Sequence, residues 1–109
     1  MKEWRKNLVI ALAESRDSNT ITEALGLCFM DATKDFLYGD KVLVYDLDLL
    51  QDFEGRALES LVLKWKRIPV CGASPSYVIR ILCNQWKNYL REEQRRKKRL
   101  ENYKEHLAG

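Results

Sequence analysis

From Pro75 to Ala108 the chain contains neither a second proline nor a glycine, and this uninterrupted stretch most constrains what it can fold into. Ser74 is a good N-cap residue, and Pro75 falls at the first helical position, where a missing N–H costs nothing. The spacing predicts a single helix from Ser74 to Leu107, roughly 50 Å long at 1.5 Å per residue. A chain of 109 residues cannot cover such a rod with its own core. The end of the helix is therefore expected to project.

At 100° per residue, Ile79, Leu82, Trp86 and Tyr89 fall on one side of this helix, flanked by Val78 and Leu90. Arg80, Asn84, Lys87, Arg91, Arg95 and Lys98 fall within about 80° of one another on the opposite side. The apolar stripe breaks at Glu93, Arg96 and Lys97, then resumes weakly at Leu100, Tyr103 and Leu107. The expected helix leaves its core near Leu90, is charged all round to Arg99, and ends in a small second apolar patch.

Charge is divided just as sharply along the chain. Residues 1–16 carry four basic and two acidic side chains, residues 17–63 three and ten, and residues 64–109 twelve and four. The net charge of +3 thus conceals a strongly acidic middle and a strongly basic C-terminal part, a pattern of polyanion-binding tails or of complementary faces.

The rest of the chain reads as three shorter helices, giving a mainly α, four-helix small domain over residues 1–109 with residues 91–109 projecting. Trp4, Leu8, Ala11, Leu12 and Ser15 mark an amphipathic helix over 3–16. A polar break at Arg16–Asn19 precedes a second helix, capped by Ser18 or Thr20 and stopped by Gly39, with Leu25, Phe29, Ala32 and Phe36 on one face. Lys41–Tyr45 is a short β-branched, strand-like run, and residues 67–71 are its one candidate partner, an edge at best because of Pro69. A third helix, capped by Asp46 or Asp48, carries Leu50, Phe53, Ala57, Leu61 and Trp65. Gly55 within it points to a kink or a close helix crossing. The expected core is Leu8, Leu12, Leu25, Phe29, Phe36, Phe53, Leu61, Trp65, Ile79, Leu82 and Trp86.

Two short resemblances arise in this middle region. Ile21–Leu27 (Ile-Thr-Glu-Ala-Leu-Gly-Leu) resembles the first helix and turn of bacterial helix-turn-helix repressors. Counting on from Gly26, however, places Ala32 and Asp35 where that motif needs two buried apolar residues. Val42-Leu-Val-Tyr-Asp46-Leu-Asp48 resembles the nucleophile motif of haloacid-dehalogenase-type phosphatases, which would make Asp46 the nucleophile and Asp48 the acid/base. That family needs a parallel sheet with several crossovers, and this chain lacks the strand material for one.

No other constellation points to catalysis or to a metal, so no catalytic residue, metal ligand or cofactor is expected. From Asp46, the EF-hand ligand positions hold Asp48, Leu50 and Gln51, and the motif fails. The acidic residues Asp46, Asp48, Asp52 and Glu54 instead suit the positive end of a helix dipole. His106 has no nucleophile nearby in sequence. Gly-rich phosphate loops and paired histidines are absent from the sequence. Cys28, Cys71 and Cys83 show no ligand spacing, and their odd number and apolar neighbours read as buried free thiols in a reducing compartment, cytoplasmic or, in a eukaryote, nuclear. The N-terminal apolar run is too short for a signal peptide, and no run is long enough to cross a membrane.

What remains is Arg91–Arg99, with six cations in nine residues. Helices of this density enter DNA or RNA grooves, where guanidinium forks meet phosphates and base edges. The expected interface is Arg80, Asn84, Lys87, Arg91, Arg95, Arg96, Lys98 and Arg99, on a non-enzymatic regulatory or accessory protein that binds DNA or RNA. The plainer reading is a solvated helix whose Glu92, Glu93 and Glu101 pair with Arg95, Arg96, Lys97 and Lys98. A second functional reading is a protein-interaction module, an adaptor or inhibitor. It would dock through the acidic middle or through Leu100, Tyr103 and Leu107, with a homodimer or another protein as partner.

Overall fold

A computed structural model describes residues 3–39 and 47–108. The chain is mainly α. Its helices among the described residues are α1 (Glu3–Ser18), α2 (Glu23–Tyr38), α3 (Leu47–Lys64) and α4 (Ser74–Ala108), with a 3-10 turn at Trp65–Arg67. Among the described residues there is no strand. Of the candidate partner segment 67–71, Arg67 closes the 3-10 turn and residues 68–71 leave it as irregular chain, with Ile68 buried, and the strand-like run at 41–45 lies outside the described residues.

α1 and α2 form an antiparallel hairpin whose corner is built from side chains. Asn19 adopts the left-handed conformation (φ 54°), which asparagine tolerates well. Its N–H reaches the Arg16 carbonyl at 3.2 Å while Thr20 N–H reaches Ser15 at 3.1 Å, so α1 ends in a Schellman motif. The cap of α2 is Thr22 rather than the expected Ser18 or Thr20, its hydroxyl accepting the Leu25 N–H at 3.2 Å. The fully buried Ser15 accepts the Thr22 N–H at 3.1 Å, tying the end of one helix to the start of the next. At the far end of the hairpin the Trp4 indole N–H donates to Asp35 at 3.2 Å. α2 runs unbroken through Gly26, so no turn of a helix-turn-helix forms there. It stops at Gly39, whose backbone turns extended, and glycine suits that position because an added Cβ would lie 2.5 Å from the Asp35 carbonyl oxygen.

α4 contacts all three other helices. Trp4, Leu8, Leu12, Leu25, Phe29, Phe36, Phe53, Leu61, Trp65, Leu82 and Trp86 are buried as their spacing requires. Ile79 is the exception: it is only half-buried, and Val78 takes the interior position beside Leu82. Leu82, Trp86 and Tyr89 keep the face assigned by pattern, and the exchange of Ile79 for Val78 turns its mean direction by only about 25°. Trp65 belongs to the 3-10 turn after α3, not to the helix itself.

The connection into α4 is held by two polar side chains. Ser74 is the first residue of the helix, and its buried hydroxyl does not cap the helix as expected. It donates to the Pro69 and Cys71 carbonyls and accepts the Cys71 N–H at 3.1 Å, closing the turn before the helix. Arg16, from the last turn of α1, donates to the carbonyls of Lys66 and Ile68. Asp48 lies inside the first turn of α3, where the helix dipole favours it, and Asp46 is outside the described residues.

The three cysteines are free but differ from one another: Cys28 is buried, Cys83 half-buried and Cys71 exposed, so the expectation of three buried thiols holds only for the first. Burial, aided by the nearby Asp31, pushes the Cys28 thiol pKa up. Gly55 is exposed, and a Cβ there would meet nothing within 4 Å, so no close helix crossing requires it. Gly55→Ala is expected to stabilise the protein by about 1 kcal/mol through helix propensity, read as a higher urea midpoint.

Candidate nucleic-acid interface

α4 loses its covering abruptly. Tyr89 is its last buried side chain, Leu90 and Glu93 are half-buried, and every described side chain from Gln94 to Leu107 is exposed. The molecule measures 61 × 28 × 20 Å, its long dimension being that of a helix of 35 residues, about 52 Å at 1.5 Å per residue, plus side chains.

A charged cluster marks the exit. The Tyr89 hydroxyl donates to Asp52 on α3 at 2.7 Å, and Arg56 Nε lies 3.4 Å from the same carboxylate. The Arg56 guanidinium sits 5.3 Å above the Tyr89 ring and reaches Glu92 at 3.6 Å. Burial, together with the hydrogen bond to Asp52, holds the Tyr89 phenol protonated, well above its ordinary pKa. Arg56 was not a candidate from pattern alone. Its one sequence signal was Asp52 four residues before it, a spacing that brings the two side chains together on a helix.

This cluster decides where the glutamates of α4 go. Glu92 turns to Arg56, and Glu93 pairs at 4.0 Å with Arg96. Of the pairs that the solvated-helix reading requires, Glu93–Arg96 is the one that forms. Arg80, Lys87, Arg91, Arg95 and Lys98 are exposed, and none of them is ion-paired to a described residue. Asn84 lies exposed among them.

The eight residues expected at the interface are all exposed, but they do not form one surface. Arg80, Asn84, Lys87, Arg91, Arg95 and Lys98 share a helix face, whereas Arg96 and Arg99 turn toward the side of Arg56. There Arg56, Arg95, Arg96 and Arg99 surround a shallow hollow that also contains Glu92 and Glu93, and this mixture of charges makes it a poor anion site. The straight face is the cleaner feature. Lys87–Arg91, Arg91–Arg95 and Arg95–Lys98 are successive neighbours three or four residues apart, each an unfavourable like-charge pair in an isolated helix.

Leu100, Tyr103 and Leu107 are 51%, 62% and 68% exposed on the far side of the helix, in line with the core-facing stripe. His106 is exposed as well. Among the described residues no group of three or more His, Cys, Asp or Glu is placed to hold a metal ion, and no helix is long and apolar enough to cross a membrane. Comparisons with protein families, curated proteins and solved structures find no match for this chain.

Proposed function

We propose that this chain is a small, non-catalytic nucleic-acid-binding protein that lays the outer face of α4 along a phosphate backbone. One observation carries the reading: five cations on one helix face are exposed and have no ion-pair partner among the described residues, although glutamates stand nearby in sequence. Leaving Lys87, Arg91, Arg95 and Lys98 side by side costs stability in isolation. A polyanion converts that repulsion into attraction and releases its condensed counterions. Asn84 and the arginines add donors able to meet base edges as well as phosphates. The role is regulatory or accessory, with Arg80, Asn84, Lys87, Arg91, Arg95 and Lys98 forming the contact and Arg96 and Arg99 at its margin.

The test is a titration of labelled duplex DNA and of structured RNA at two salt concentrations. Four or five phosphate contacts correspond to a log–log slope of roughly −4 on duplex DNA. Between 50 and 200 mM salt, affinity should then fall by roughly 250-fold. No binding to either nucleic acid at the lower salt, or binding indifferent to salt, removes the reading.

A further inference from the structure

The outer side of the α1–α2 hairpin carries a groove of about 360 Å³. Its apolar lining includes Ile10 and Leu27, 61% and 53% exposed, and the small side chains Ala11 and Ala24. Carboxylates also line it: Glu3, Glu14 and Asp31 are all exposed, and none is ion-paired to a described residue. An apolar trough with such acids beside its apolar side chains fits a helix that has an apolar stripe flanked by cations.

The far end of α4 is such a helix. Leu100, Tyr103 and Leu107 fall within about 60° of one another, and Arg96, Lys97, Arg99 and Lys104 border them on the same half of the helix. We propose that this end of α4 docks in the α1–α2 groove of a second copy of the chain, its apolar residues against Ile10 and Leu27 and its cations against Glu3, Glu14 and Asp31. The helix cannot deliver these residues to its own groove, because α4 is continuous to Ala108 with no glycine or proline to turn it back. Both halves of the contact are present on every molecule, in equal amount and with opposite charge. Burying the patch also removes three large apolar side chains from water. The contact uses the face of α4 opposite Arg91, Arg95 and Lys98 and shares only the marginal Arg96 and Arg99 with the proposed nucleic-acid contact, so it can form without nucleic acid.

Sedimentation and zero-length carbodiimide cross-linking of the full chain, without nucleic acid, test the proposal. Wild type should sediment as a dimer or larger species at high micromolar concentration. Cross-linked peptides should join Lys97 or Lys104 of one copy to Glu14 or Asp31 of another. Leu27→Glu and Tyr103→Ser/Leu107→Ser alter exposed positions on opposite halves of the contact, and each should return the protein to monomer mass with an unchanged helical circular-dichroism spectrum. A wild type that is monomeric throughout, or an association that survives both variants, overturns the proposal. So do cross-links that, in a mixture of isotope-labelled and unlabelled protein, join Lys97 or Lys104 of one copy to Glu101 or Glu105 of the other, since these would mean that the two C-terminal helices pair directly.

Discussion

Trp86→Ala should lower the unfolding free energy by about 3–5 kcal/mol, as large-to-small changes at packed aromatic sites do. Trp86 is 9% exposed and sits where α4 crosses α3. Its ring meets Phe53 edge-on at 4.8 Å and stacks on Tyr89 at 6.0 Å. Removing it opens a cavity against Phe53, which cannot fill the space from its own backbone position. It also loosens Tyr89, whose hydroxyl and ring hold Asp52 and Arg56 at the exit of α4. Since small domains are stable by about 5–15 kcal/mol, a loss of this size takes a large share of the total. Urea denaturation is the measurement, with the midpoint falling and the slope held if unfolding stays two-state. A variant with wild-type melting would mean that the indole is not part of the packing.

The helices were legible in the sequence because each carries its apolar residues at spacings of three and four and stops at a recognisable break. Trp4, Leu8 and Leu12, or Leu25, Phe29 and Phe36, admit only one buried face. The small rotation of α4 was not legible. Val78 and Ile79 are adjacent β-branched residues on the same apolar side, and only the shape of the surface formed by the other helices decides which points inward. Polar roles were harder still. Ser74 has the residue type and position of a helix cap, yet the chain turns so tightly before it that its hydroxyl is captured by Pro69 and Cys71. Arg16 reads as a charge at a helix end, and nothing local reveals that Lys66 and Ile68 return beside it.

The basic face shows the same division between local and distant causes. Its alignment follows from helical periodicity and is visible in the sequence. Whether its charges are neutralised within the molecule is a different question, because Glu92 and Glu93 stand at spacings that serve several arginines equally well. Arg56, from another helix, draws Glu92 away, and Arg96 takes Glu93. Only the packing of α3 against α4 determines that outcome.

Arg91→Glu/Arg95→Glu is expected to abolish detectable nucleic-acid binding while changing stability by less than about 0.5 kcal/mol, as exposed substitutions usually do. Both residues are exposed, have no ion-pair partner among the described residues and lie opposite the buried stripe, so no packing is lost. The new glutamate at position 95 would even face Arg99 four residues on, in the favourable acid-before-base order. For binding, each reversal removes one released counterion and places a negative charge against phosphate. Two of the contacts behind a slope of roughly −4 are lost, and the added repulsion carries the affinity further down, below detection. Measuring binding and urea denaturation on the same preparations separates the two effects. Binding lost with stability kept assigns the contact to this face of α4. If the folded double variant binds as tightly as wild type, the contact lies elsewhere. The aligned cations of α4 would then serve a different acidic surface, such as that of a partner protein.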